Sequence, residues 1–146
     1  MKIKQLSLFL ENRPGALNRP LRLLAQAELN ILTLSVADSS QFGVLRLVMR
    51  DWGQAINLLE KYGFAVKVVD LVAIQVVDQP GGIVKVLDVV EKAGVTVEYV
   101  YAVPKNRPGH TVILFCFNDP DTAILVLQKK NFKILSLEEL LPAPMP

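Results

Sequence analysis

The 146-residue chain contains one cysteine, Cys116, one histidine, His110, and very little net charge. A single cysteine excludes an internal disulfide, a CxxC redox pair and a cysteine-rich metal cage. The 16 basic and 14 acidic residues leave a formal charge of +2, which is not the footprint of a nucleic-acid-binding protein. No apolar run reaches the length of a membrane span, and the chain begins directly with strand-like alternation, so we expect neither a span nor a secretory leader. We therefore expect a cytoplasmic protein without metal, cofactor, nucleic-acid or membrane partners.

An internal repeat organises the rest of the sequence. A shift of 66 residues superimposes Pro14-Gly15 on Pro80-Gly81, and the alternating leucines of the first segment fall on apolar residues of the second. Later in each copy the offset becomes 68, so that Phe64 matches Phe132. Because the change of offset is even, the inward and outward faces of each strand are preserved. The repeat predicts two domains, residues 1–69 and residues 70–146.

Each copy has the pattern strand, helix, strand, strand, helix, strand. In the first copy, period-2 alternation predicts a strand around Leu6–Leu10, and apolar residues at helical spacing follow the turn at Pro14-Gly15. Asp38–Gln41 is typical of a hairpin turn. Asp51 and Asp119 are predicted helix N-caps. The fold class is therefore α+β: two ferredoxin-like βαββαβ units, each an antiparallel sheet with its helices on one face.

The turn after the first strand of each copy has the chemistry of an anion site. The chain turns sharply there and begins a helix whose first backbone N–H groups lack internal partners. Gly15 permits close approach of the backbone, and the positive end of the helix dipole favours a carboxylate. If the ligand is an α-amino acid, its ammonium group also needs a hydrogen-bond acceptor. Asn12, Asp78 or backbone carbonyls at the start of strand two could supply one.

The same segments carry a resemblance to a known family. Glu11-Asn12-Arg13-Pro14-Gly15-Ala16-Leu17 and Ala27-Glu28-Leu29-Asn30-Ile31 resemble the hallmark segments of ACT domains, small modules that bind amino acids. The second copy repeats them as Asp78-Gln79-Pro80-Gly81-Gly82-Ile83 and Ala93-Gly94-Val95-Thr96-Val97. The resemblance covers nearly the whole chain and implies a tandem, stand-alone ACT protein.

In ACT domains the ligand lies where the strand-helix loop of one unit faces strand two of a neighbouring unit. The resemblance thus implies the following ligand-binding residues: Asn12, Arg13, Pro14, Gly15, Ala16, Leu17, Asn30, Ile31, Asp78, Gly81, Gly82, Ile83, Thr96 and Val97. Of the two loops, the first is favoured as the tighter site because Arg13 offers a charge partner, whereas the second loop has Asp78. The alternative interpretation is that these loops only turn the chain and cap helices.

No pair of titratable groups has a spacing that indicates acid-base catalysis, so no catalytic residue is predicted. The sequence favours a non-enzymatic, allosteric amino-acid sensor that forms a homodimer and acts on a metabolic enzyme partner. Two alternatives stay open. One is an assembly module without a ligand, and the other is an acylphosphatase-like hydrolase, which would use an arginine and an asparagine.

Overall fold

The computed structural model describes the backbone of residues 1–38 and 41–142, with side chains throughout except at residues 105–107. Ser39 and Ser40, in the predicted hairpin turn, and residues 143–146 lie outside the described residues. Contacts divide the chain into two compact units. One is Lys4–Val69, and the other comprises Met1–Ile3 with the chain from Asp70 onward.

The first unit is a sheet covered by two helices. Its elements are β1 (Lys2–Glu11), α1 (Asn18–Gln26), β2 (Thr33–Asp38), β3 (Phe42–Val48), α2 (Trp52–Lys61) and the beginning of β4 (Val66–Val77). β3 lies between β2 and β1 and is antiparallel to both. The strand predicted around Leu6–Leu10 is confirmed, and Leu6 and Leu8 are buried opposite Leu47 and Leu45 of β3, but burial does not alternate along it, since Gln5 and Ser7 are buried too. These leucines form one core cluster with residues of both helices.

The second unit repeats this arrangement. It contains the rest of β4, then α3 (Gly82–Lys92), β5 (Val97–Arg107), β6 (His110–Phe117), α4 (Pro120–Lys129), β7 (Lys133–Leu135) and α5 (Leu137–Leu140). The strand order is β5-β6-β4-β7, with every neighbouring pair antiparallel. Val72 and Ile74 of β4 lie opposite Phe115 and Ile113 of β6, on the face that packs against α3 and α4. The predicted α+β, ferredoxin-like fold class is confirmed.

The helix ends agree only in part with the sequence. Asp119 caps α4 as predicted, because its carboxylate accepts a 3.1 Å hydrogen bond from the Thr122 amide. Asp51 occupies the N-cap position of α2, but its side chain makes no capping hydrogen bond. α1 begins at Asn18, so Pro20 is its third residue, where a missing N–H costs little. None of the helices within residues 1–38 and 41–142 is long and apolar enough to cross a membrane.

Candidate ligand-binding site

The first candidate site element is the turn at Asn12–Leu17, here called the first corner. Gly15 has the left-handed φ of +84°, which glycine adopts without strain. Its carbonyl accepts a 3.1 Å hydrogen bond from the Arg19 amide. Among the described residues no acceptor faces the amides of Leu17 and Asn18, which lie at the positive end of α1. The first corner therefore presents two consecutive N–H groups to an anion.

The turn at Asp78–Ile83, the second corner, repeats this backbone geometry. Gly81 has a φ of +82°, and its carbonyl accepts from the Lys85 amide at 3.3 Å. The amides of Ile83 and Val84, at the start of α3, again have no acceptor in the part of the chain that the structure describes. The predicted repeat thus extends to the pattern of hydrogen bonds.

The two corners differ at the position of Gly82. A Cβ atom added to it would lie 2.1 Å from the carbonyl oxygen of Val77, so no larger residue fits without a backbone shift. The first corner has Ala16 at the matching position. The start of α3 therefore packs more closely against the end of β4 than the sequence alone indicates.

The side chains of the first corner are solvated. The Nε of Arg13 lies 3.3 Å from Oε2 of Glu11, and the two side chains are 70% and 64% exposed. An ion pair this exposed contributes little energy, so an incoming carboxylate can compete with Glu11 for the guanidinium. Asn12 is also exposed, and its amide donates to the Gln41 carbonyl at 3.1 Å. The acceptor predicted for an ammonium group is thus accessible.

The predicted strand-two residues of the first unit line a separate groove of about 380 Å³. Asn30 and Ile31 form it together with α1 residues from Leu21 onward and the turn that follows, including Glu28. The first corner precedes the start of α1, whereas Asn30 and Ile31 follow its end, and the nine-residue helix between them is about 13 Å long. Within one unit the two halves of the predicted site are therefore not brought together.

The corresponding residues of the second unit, Thr96 and Val97, lie at the start of β5, and Thr96 is hydrogen-bonded to Asn118, a residue that sequence reasoning missed. The Thr96 amide donates to Oδ1 of Asn118 at 2.9 Å, and the Asn118 amide donates to the Thr96 carbonyl at 3.1 Å. Val97 follows as the first residue of β5 and lies opposite Phe117. Asn118 directly precedes the capping residue Asp119, which was the only signal for it in the sequence.

Glu28 was also missed as a candidate. It lines the groove beside Asn30 and has a φ of +59°, a conformation that non-glycine residues rarely adopt. The repeat has Gly94 at this position, with a φ of +74°. The signal was present in the sequence as a glutamate in one copy where the other copy has the glycine of a helix end.

Two ferredoxin-like units with matching corners define a tandem domain protein, and the family follows from comparison with known sequences. The chain belongs to the ACT domain pair family, whose model matches residues 1–142. This membership confirms the resemblance seen in the corner segments. No curated protein matches the chain.

Solved structures share the fold. The protein BT0572 from Bacteroides thetaiotaomicron is similar at a TM-score of 0.88 and 33% identity, over 96% of each chain. The regulatory subunit of aspartate kinase from Thermus thermophilus has a TM-score of 0.61 and 16% identity, with 86% of this chain and 90% of that chain covered. Aspartate kinase from Clostridium acetobutylicum has a TM-score of 0.53 and 12% identity, with 89% of this chain and 33% of that chain covered.

Proposed function

We propose that this chain is a non-catalytic regulatory protein that binds a free amino acid at its corners. The observation that supports this most directly is the pair of unsatisfied consecutive amides at the start of α1, repeated at the start of α3. A ligand carboxylate satisfies both donors and benefits from the helix dipole. Membership in the ACT domain pair family supports a regulatory role, in which ligand binding changes the activity of a metabolic enzyme partner. We expect the protein to act in the cytoplasm.

We further propose that the chain forms a homodimer in which the corner of one copy meets the strand-two groove of the other. This proposal rests on the positions of the first corner and of Asn30 and Ile31 at opposite ends of α1, which is about 13 Å long. An amino acid is too small to contact both within one unit. In the dimer its carboxylate would bind the corner, while Glu28 and Asn30 would face its ammonium group. Light scattering should give the mass of two chains.

The experiment is a thermal-shift panel of the twenty amino acids at millimolar concentration. At 100 times Kd a ligand stabilises the folded state by about 2.7 kcal/mol. For a chain of this size we expect the melting temperature to rise by several degrees with at least one amino acid. Titration calorimetry of that amino acid then gives its affinity and stoichiometry.

The matched variants are Gly15→Val and Gly63→Val. Both glycines have a left-handed φ and no atom within 4 Å of an added Cβ, so the two substitutions strain the backbone similarly. Only Gly15→Val places a branched side chain in the first corner, beside its free amides, and it should lower the ligand response more than Gly63→Val does. Where either variant does not fold, the alanine pair at the same positions replaces it.

Three outcomes would contradict the proposal. A flat response to all twenty amino acids indicates an assembly module without a ligand. Equal loss of response in both glycine variants indicates a general effect of strain. Hydrolysis of an acyl phosphate above background indicates an acylphosphatase-like enzyme.

A further inference from the structure

The second unit contains a cavity of about 260 Å³ whose lining is strongly basic. It lies between the end of β4, the start of β6 and the turn that joins α4 to β7. Its cationic or ionisable groups are Lys85, Lys130, Lys133 and His110, while Gly82 and the half-buried Phe132 contribute apolar surface. Among the described residues, no aspartate or glutamate lines it.

The three lysines of this basic pocket have no acidic partner in the described part of the chain. Among residues 1–38 and 41–142 none of them forms a salt bridge. Several like charges around one concave surface raise the local positive potential and concentrate anions there. The start of α3, which begins at Gly82, adds the positive end of a helix dipole. The pocket therefore has the electrostatics of an anion site.

In the first unit an arginine lies at the corresponding place. Lys85 corresponds to Arg19 in the repeat, and Phe132 corresponds to Phe64. The Arg19 guanidinium donates to the Tyr62 carbonyl at 3.1 Å and lies 4.8 Å from the centre of the Phe64 ring. An internal cation thus occupies the position over that ring. In the second unit the corresponding residue is a lysine that leaves Phe132 accessible from the pocket.

We propose that the basic pocket binds a small multivalent oxyanion, such as the phosphate or polycarboxylate group of a metabolite, with Phe132 packing against its apolar part. Lys85, Lys130 and Lys133 would hold the charged oxygens. This site is separate from the first corner but borders the second corner at Gly82, and it gives the protein a second ligand of a different chemical class from a free amino acid. The proposal does not depend on amino-acid binding.

The test is calorimetry and NMR titration with pyrophosphate and citrate at low, constant ionic strength. We expect saturable binding of one anion per chain, with changes in the NMR chemical shifts of the Gly82 and Phe132 amides. Lys85→Gln should weaken binding about fivefold, as expected for the loss of one partly solvated charge pair. The control is Lys92→Gln, in the last turn of α3 and outside the pocket, which should change affinity less than twofold. Preference for pyrophosphate or for citrate distinguishes the phosphate from the polycarboxylate source.

Lys85→Arg is the decisive variant because it keeps the charge. We expect the guanidinium to reach the carbonyl of Lys130 and the Phe132 ring, as Arg19 does with their counterparts, and to reduce binding at least as much as Lys85→Gln does. Unchanged affinity in Lys85→Arg, equal losses in the pocket and control variants, or no saturable binding at millimolar anion would each overturn the proposal. Gly15→Val should leave anion binding intact, so failure of amino-acid binding and failure of this site are separate results.

Discussion

Two equivalent positions of the repeat have residues with different costs for the same backbone conformation. Glu28 and Gly94 both follow a helix with a left-handed φ, and only glycine adopts it freely. A side chain retained there at a cost is a candidate for function, and Glu28 lines the groove proposed to receive the ligand's ammonium group.

Glu28→Gly should therefore increase the free energy of unfolding by about 1 kcal/mol, because it relieves left-handed strain. Urea denaturation measures this change, and Gly94→Ala, the matched control, should lower it by a similar amount. In the same Glu28→Gly protein the amino-acid response should fall. A destabilised variant with normal ligand response would contradict both the strain and the proposed role.

Gly82 is constrained by space rather than by φ. Gly82→Ala should lower the free energy of unfolding by about 2 kcal/mol, because the new methyl group would overlap the Val77 carbonyl oxygen. Gly53→Ala is the control: Gly53 lies in α2 with no atom within 4 Å of an added Cβ, and alanine there should be slightly stabilising. Denaturant titration of both variants checks the prediction, which fails if Gly82→Ala is as stable as the parent.

Residue patterns predicted the location of both corners but not the closeness of this contact. The Gly81-Gly82 pair indicates a turn, and Gly81 has the positive φ that such a turn requires. That Gly82 lies against a strand carbonyl depends on how α3 packs on β4. Packing of this kind, unlike turn chemistry, has no local sequence pattern.

At the scale of elements, the sequence predicted strands and helices well because each has a strong apolar period, and it was less accurate at their ends. α1 starts three residues after Gly15, whereas α3 starts directly after Gly81, although both glycines have a left-handed φ. Asp51 and Asp119 look alike in sequence, yet only Asp119 bonds the helix amides. The orientation of a cap side chain depends on the φ and ψ of its own backbone, which composition does not determine.

The cap of α4 gives a prediction for pH. The hydroxyl of Thr122, at 2.6 Å, and then its amide, at 3.1 Å, hold the pKa of the Asp119 carboxyl below its ordinary value. A carboxyl with a lowered folded-state pKa stabilises the fold above its unfolded pKa, and this contribution is lost as pH falls through the folded value. Thr122→Val should move the pKa of Asp119 back toward its ordinary value and flatten the loss of stability in acid.

NMR titration of the Asp119 carboxyl carbon measures this pKa directly. Asp119→Asn is the matched control, since it keeps an acceptor for the Thr122 amide but does not titrate. An unchanged pKa in Thr122→Val would show that the hydroxyl bond does not contribute.

At the scale of the whole molecule, duplication made the fold predictable, because each copy supports the interpretation of the other. It could not predict how the copies differ in use. Arg19 and Lys85 occupy equivalent positions with the same charge, but the arginine reaches a carbonyl and a ring, and the lysine borders an open pocket. The difference arises from the reach and planarity of the guanidinium. In the sequence the two residues look equivalent because both are basic.

Hydrogen–deuterium exchange at the unbonded amides of the two helix starts should also report ligand binding. Because no carbonyl of the described residues accepts from them, the N–H groups of Leu17, Asn18, Ile83 and Val84 should exchange hydrogen for deuterium at nearly the rate of a free peptide. An amino acid bound at a corner should slow exchange of the amides of that corner. The effect should be larger at Leu17 and Asn18 if the first corner is the tighter site. Four backbone positions would then report occupancy of each corner separately, without any dye, label or substitution.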